Sequence, residues 1–278
     1  MAGSKRSEQL LTVLFWLSGT VIVLVLVGII GYVAVKGFST VSLDFILQAP
    51  SRAGRLGGIS TTIVGTVYLT IMSLLIAVPI GVGSAIYLEE YALSRSRFAR
   101  LVNLTAETLA GIPSIVFGLF GFVFFVIFLG LGWSILSGSL TMAIMILPTI
   151  TRTSQEAILA VAHEYRENSL ALGASRWQTI RKVVLPSALP GIVTGIILSI
   201  GRAVGETAAI ILTAGSSLGM PISPTDPART MSVHLYIMAM EGISTERAFG
   251  TAFLIVVLII IINYLANLSL SRLTRGTR

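Results

Sequence analysis

The chain has 278 residues, of which 54% are hydrophobic and only 11% charged, giving a mean hydropathy of +0.92. Soluble domains carry about a quarter of their residues charged, so a soluble enzyme or binding module is excluded and a polytopic membrane protein is expected. The net charge of +7 comes without an aromatic-interleaved basic patch, which argues against a nucleic-acid partner, and the absence of cysteine excludes disulfides and thiolate metal sites.

A helix needs about 20 mostly apolar residues to cross the hydrocarbon core. Six stretches qualify, at 10–35, 59–88, 101–131, 140–161, 189–214 and 249–268. The first follows a short polar segment, is longer than a signal-peptide core and lacks a small-residue cleavage site, so it is expected to be a retained span. The fourth is the least apolar, because 149–156 is polar. Pro79, Pro113 and Pro148 are expected to kink or break their helices. Gly191 with Gly195, and Gly201 with Gly205, form GxxxG pairs that permit close helix approach.

Lys and Arg are distributed unevenly between the loops. Twelve lie on one side, at 1–9, 95–100, 164–190 and 272–278; five lie on the other, Lys36, Arg52, Arg55, Arg229 and Arg247. The positive-inside rule then places both termini and the 164–190 insert in the cytoplasm. The external loops are 36–58, a few residues around Trp133, and 215–248. In the last, Pro221, Pro224, Asp226 and Pro227 predict irregular, turn-rich chain followed by a short helix near 234–240. It is either a docking loop for an external partner or a merely solvated one.

Arg152, Glu156, Arg202 and Glu206 fall inside predicted spans, where each charge costs about 2.5–3.5 kcal/mol on insertion scales and needs a reason. Thr149, Arg152 and Glu156 share one helical face of the fourth span. Gly195, Ser199, Arg202, Glu206 and Thr213 share one face of the fifth. One reading pairs Arg152 with Glu156 and Arg202 with Glu206 as buried i,i+4 structural pairs. The other makes both faces the lining of a polar path for an oxyanion, which guanidinium forks recognise bidentately and which a cation path would not need.

The insert 164–190 is the one soluble-looking helical segment. Leu170, Trp177, Ile180 and Val184 are spaced as an amphipathic stripe, interrupted at Gly173, with Arg166, Arg176, Arg181 and Lys182 on the polar side. A short helix, a turn with positive φ at Gly173, and a second helix ending at Pro186 are expected. Glu167, Gly173 six residues later and Leu185-Pro186 twelve residues after that resemble the EAA loop of ABC-importer membrane subunits, with departures at Asn168, Ser169 and Val183.

Further stretches resemble the phosphate importer permeases within that family. Gly201-Arg202-Ala203-Val204-Gly205-Glu206-Thr207-Ala208-Ala209 is similar to their Arg-(x)3-Glu-Thr signature, Leu147 to Thr153 to their fourth-span arginine segment, and Leu109 to Gly118 to their third-span motif. The Glu-Thr-Ala-Ala ending is closer to the PstA type of subunit than to its PstC-type partner. The resemblance implies an all-α membrane protein with six transmembrane helices in the type I ABC importer permease (MetI-like) fold. Its expected divisions are a cytoplasmic N-terminal segment at 1–9, a first transmembrane helix and external loop at 10–58, a transmembrane core at 59–272 containing a cytoplasmic coupling loop at 162–190, and a cytoplasmic tail at 273–278.

The resemblance further implies a substrate path of Arg152, Arg202, Glu206, Glu156, Thr149 and Ser199, and an ATPase-coupling set of Glu167, Leu170, Gly173, Trp177, Leu185 and Pro186. Many members carry an acidic residue where Gln155 stands, which leaves open which nearby carboxylate serves the fourth span, Glu156 or none. Implied partners are a second, PstC-type permease subunit, a dimeric ATP-binding subunit and an external phosphate-binding protein, in the inner membrane of a prokaryote. No Gly-rich loop ends in Gly-Lys-Ser/Thr, so ATP and Mg are expected on the partner ATPase, with no cofactor or metal in this chain. His163 beside Glu164 is expected to be a solvated helix end, so the chain is not expected to be an enzyme. Alternatives are the same machine for sulfate, molybdate or phosphonate, and an anion channel or secondary transporter, for which the cytosolic insert has no use.

Overall fold

The computed structural model describes residues 2–92 and 97–275, the side chains at 2–7, 9–10 and 269–275 excepted. Arg95 and Arg278 of the charge count, and part of the tail at 273–278, lie outside these. Twelve α-helices in the described residues account for nearly all of the regular structure. They are α1 (Ala2–Phe38), α2 (Leu43–Leu47), α3 (Ser60–Ile86), α4 (Arg97–Ala110), α5 (Ser114–Gly121), α6 (Ile135–Leu159), α7 (His163–Ala171), α8 (Arg176–Thr179), α9 (Leu185–Gly205), α10 (Ala208–Thr213), α11 (Met231–Met240) and α12 (Thr245–Arg275). A two-residue antiparallel pair, β1 (Pro50–Ser51) with β2 (Leu56–Gly57), closes the loop before α3.

Five helical stretches are long and apolar enough to span a membrane, Leu11–Phe38, Ser60–Tyr91, Ile135–Leu159, Arg176–Gly205 and Thr245–Leu268. The third stretch differs from the expectation of one continuous span over 101–131. Arg97–Ala110 and Ser114–Phe128 meet at an angle of 104°, broken at Gly111-Ile112-Pro113. Pro113 cannot donate to a continuing helix, and it disfavours helical backbone in the residue before it. Pro79 and Pro148, by contrast, sit inside unbroken helices. The fifth span also ends earlier than position 214: α9 stops at Gly205, Glu206 is extended (φ −72°, ψ 131°), and α10 starts afresh.

The least apolar span is the most central. α6 is packed between α3, α9 and α4, and Ser137, Ser139, Thr141, Thr151, Ser154 and Gln155 are all buried on it. A helix that faces protein rather than lipid can carry hydroxyls, provided they find acceptors. Thr141 Oγ1 donates to the Ser137 carbonyl (2.8 Å) and Ser139 Oγ to the Leu69 carbonyl of α3 (3.3 Å). Close approach to α9 depends on glycine. A Cβ on Gly195 would stand 1.9 Å from Thr153 Oγ1, and one on Gly191 2.5 Å from Ala157 Cβ. The second GxxxG pair is different, since Gly201 and Gly205 meet nothing within 4 Å.

α1 lies at the periphery, its apolar side chains exposed over Leu11 to Val35. It touches the bundle through α12, where Tyr32 and Phe38 meet Phe249 and Phe253 edge-to-face. At the same end of the bundle, α11 and the β1–β2 loop form a cap, with Gly54 against His234 and Met238.

Candidate functional site

α6 and α4 enclose a cavity of about 260 Å³, lined by Asn103, Glu107, Thr149, Arg152, Gln155 and Glu156 among others. Thr149, Arg152 and Glu156 therefore do share a surface, as their i, i+3, i+7 spacing requires. The Arg152 guanidinium is held loosely. Its Nε lies 3.4 Å from Glu156 Oε1 and its Nη1 3.9 Å from Glu107 Oε1, with the Arg152 side chain 53% exposed. Both separations exceed a good N–H···O hydrogen bond. The donors of Arg152 are thus not firmly committed to either carboxylate.

The wall of the cavity is fixed more tightly than its arginine. Gln155, 3% exposed, donates through Nε2 to Glu89 Oε1 (2.8 Å) and to Asn103 Oδ1 (3.1 Å). Glu89 belongs to a π turn, Tyr87–Tyr91, that continues α3. The carboxylate beside Gln155 is thus Glu89, from another helix, while Glu156 and Glu107 lie beside Arg152.

The fifth-span face is only partly what periodicity predicts. Arg202 is half-buried in the last turn of α9 and forms no ion pair among the described residues. The Arg202–Glu206 pair of the structural alternative does not form, because the helix ends between them, and Glu206 Oε1 instead accepts the Ala209 N–H at the start of α10 (3.1 Å). Ser199, expected on the path, is completely buried with its hydroxyl donating to the Gly195 carbonyl (2.9 Å), so it offers nothing to a solute in this conformation. Thr213 is equally buried. Since Gly195 abuts Thr153, Arg202 stands about 10 Å further along the α9 axis than the level of Arg152. Arg202 is not among the residues lining the Arg152 cavity.

The polar insert folds as α7, a turn and α8. Gly173 adopts φ +84°, and the N–H groups of Gly173 and Ala174 bond back to the Leu170 and Ser169 carbonyls (2.9 and 3.2 Å). Ser175 and Gln178 then close a reciprocal capping box on α8. Two expectations need correction here. The second helix does not end at Pro186: it runs on into α9 through a π turn over Ile180–Val184, which lets the chain absorb a residue lacking an N–H without breaking. The apolar stripe is also divided. Ile180 and Val184 are fully buried against the bundle, whereas Leu170 and Trp177 are 48% and 53% exposed, together with Tyr165 and Leu172. Glu167 is exposed, 3.6 Å from His163 Nε2, and Leu185 and Pro186 lie at the junction with α9.

Sequence reasoning overlooked the residues that tie this insert down. Arg166 Nε and Nη2 both donate to Glu90 Oε1 (2.9 and 2.8 Å), while Nη1 and Nη2 donate to the Val161 and Ile158 carbonyls at the end of α6 (2.7 and 2.8 Å). Glu90 is buried. The signal available in the sequence was the adjacent pair Glu89-Glu90 closing an apolar run on the basic side of the bundle.

Residues 77–278 match the family described as the binding-protein-dependent transport system inner membrane component. Among curated relatives, the probable ABC transporter permease protein YqgI of Bacillus subtilis is 34% identical over 95% of this chain and 95% of its own. The phosphate transport system permease protein PstA of Haemophilus influenzae is 30% identical over 92% and 87%, and PstA 1 of Mycobacterium tuberculosis 34% over 80% and 72%. Among solved structures, the fold is shared with the bacterial alginate ABC transporter in complex with its pentasaccharide-bound periplasmic protein (TM-score 0.70, 17% identity, 97% of this chain and 96% of that one). It is shared also with the inward-facing MetNI methionine ABC transporter (TM-score 0.63, 20% identity, 78% and 94%). By sequence match and by the type I importer fold, the chain is a multi-pass ABC importer permease of the inner membrane and belongs to the family of binding-protein-dependent transport system inner membrane components.

Proposed function

We propose that this permease translocates inorganic phosphate, as one subunit of an ATP-driven importer working by alternating access. The observation that carries the reading is Arg152, a guanidinium engaged only at 3.4 and 3.9 Å by Glu156 and Glu107 inside a cavity of about 260 Å³. At roughly 30 Å³ per water, that space admits a tetrahedral oxyanion with part of its hydration shell. Curated relatives named as phosphate transport permeases support phosphate among oxyanions. Arg202, further along the same helix pair and free of an ion pair among the described residues, is the second station, with Glu206 following just past the end of α9.

In this reading the termini and the insert face the cytoplasm, 162–190 is the coupling loop within a core at 59–272, and a separate ATPase dimer hydrolyses ATP with its Mg. Its docking surface comprises Glu167, Leu170, Gly173 and Trp177, with Leu185 and Pro186 carrying the motion into α9. A PstC-type permease completes the translocation path, and an external phosphate-binding protein delivers the anion. ATP binding and hydrolysis switch the bundle between outward and inward states, and phosphate biases that equilibrium only by binding the two states unequally.

The test is uptake of labelled phosphate by the reconstituted complex. Arg152→Gln and Arg202→Gln are each expected to lower uptake at least about tenfold, the scale of one lost charge-assisted hydrogen-bond pair, with the ATPase still bound. Wild-type uptake by both variants would remove the path, and transport of sulfate or molybdate in preference to phosphate would reassign the substrate.

A further inference from the structure

Glu89 and Glu90 are neighbours in sequence but face different parts of the molecule. Glu90 receives Arg166 of the insert in a buried, doubly hydrogen-bonded contact at 2.8 and 2.9 Å. Glu89 receives Gln155, at 2.8 Å, which lines the Arg152 cavity. A second cavity lies between the π turn and the insert, lined by Glu89, Glu90, His163, Arg166, Glu167 and Arg176 among others. The π turn therefore contacts the lining of the candidate anion site through Gln155 and the candidate coupling loop through Arg166, with one carboxylate committed to each.

The contacts differ in kind from those of an ordinary surface ion pair. The Arg166 and Glu90 side chains are 14% and 9% exposed, and the guanidinium also closes two carbonyls at the end of α6. One fork thus joins three elements, α7, α6 and the extension of α3. Exposed Leu170 lies one helical turn from Arg166 and lines the second cavity with it, whereas exposed Trp177 does not line that cavity, so the docking surface adjoins the fork. Turns of π type are rare and recur at functional positions, and here the turn that closes α3 carries both carboxylates.

We propose that Glu90–Arg166 and Glu89–Gln155 form the joint through which displacement of the insert reaches the anion cavity, Glu90 and Arg166 acting as positioning residues rather than as ligands of either the anion or the ATPase. Pushing α7 moves the π turn through Arg166, and the π turn moves Gln155 and, through it, Asn103. The inference rests on the importer reading. It predicts that severing the fork separates ATP hydrolysis from transport without releasing the ATPase.

The experiment uses the complete transporter in proteoliposomes with phosphate and its binding protein, and reads three quantities: ATPase retained on purification, stimulation of hydrolysis by phosphate-loaded binding protein, and phosphate taken up per ATP. Removing one partner alone leaves a buried unpaired charge, so the decisive variant is the neutral pair Glu90→Gln/Arg166→Gln, with the charge swap Glu90→Arg/Arg166→Glu beside it. The neutral pair is expected to retain the ATPase at wild-type stoichiometry while uptake per ATP falls roughly tenfold, within the usual range of coupling between sites, and the swap to restore part of it. Wild-type uptake per ATP in the neutral pair overturns the joint, and so does its failure to assemble, which would make the fork a structural staple. A wild-type transporter that takes up no phosphate would instead overturn the phosphate-importer reading on which the inference rests.

Discussion

Arg152 and Arg166 are the same residue type put to opposite uses by burial. Arg166 is largely withdrawn from solvent, its donors filled by a carboxylate and two backbone carbonyls; Arg152 stays half-exposed with contacts too long to be strong. Desolvation makes the first arrangement rigid, because every unfilled donor would cost about 1–3 kcal/mol, and leaves the second free to exchange partners. Gly173 is a third decisive position. Its φ of +84° is left-handed and its surroundings are open within 4 Å, so a side chain there meets conformational strain and no clash. Gly173→Asn is expected to be tolerated, and Gly173→Val to cost about 1–2 kcal/mol or more and to weaken retention of the ATPase in co-purification. Equal retention by both variants would show that the turn's geometry is immaterial. Both Gly173 and Arg152 were legible in sequence, one from its motif spacing and the other from charge at membrane depth. The Glu107 contact of Arg152 and the Glu90 contact of Arg166 were not, since those partners lie more than forty positions away in the chain.

Among the helices, the contrast between the two GxxxG pairs shows what periodicity can and cannot say. Both pairs offer a backbone for close approach, yet only Gly191 and Gly195 are used within this chain, against Ala157 and Thr153 of α6. Gly195→Leu is expected to force α6 from α9, destabilising by about 1–3 kcal/mol or more as overpacking does, and to be seen as a lower thermal midpoint in detergent. Gly201→Ala is expected to leave that midpoint unchanged, and a shift of equal size in both would contradict the packing described. The break at Gly111–Pro113 and the continuity through Pro186 make the same point about proline. The first proline lies where neighbouring residues also disfavour helix, whereas the second follows a π turn that shifts the hydrogen-bond register. Local sequence marks the possibility of a break, and packing decides whether it occurs.

For the molecule as a whole, the cap formed by α11 and the β1–β2 loop carries a stability cost that pH exposes. His234 is 1% exposed with neither ring nitrogen bonded within the described residues, and burial, followed by the Arg229 and Arg247 charges, holds its pKa down at about 4 against an ordinary 6.5. The unfolded chain therefore binds more protons than the folded one between these values. Stability is complete above pH 6.5, declines as pH falls, and has lost a contribution on the order of 3 kcal/mol below about pH 4. Thermal unfolding at pH 5 and pH 7 is expected to show this difference in the wild type and a smaller one in His234→Leu; an undiminished difference in the variant would place the sensitivity elsewhere. Composition and residue order by themselves determined the membrane class, the approximate spans, the amphipathic insert with its glycine turn, and the presence of charges that needed an explanation. Each of these follows from local hydropathy, periodicity or backbone preference, which act within a few turns of chain. Only the tertiary structure decided that the least apolar span is central, that Ser199 is sealed while Arg152 is open, that Glu206 caps α10 instead of pairing with Arg202, and that Glu89 and Glu90 bond Gln155 of the cavity lining and Arg166 of the insert. Those outcomes depend on which helices pack together and on how far buried polar groups must reach for partners, and neither is encoded at any one position.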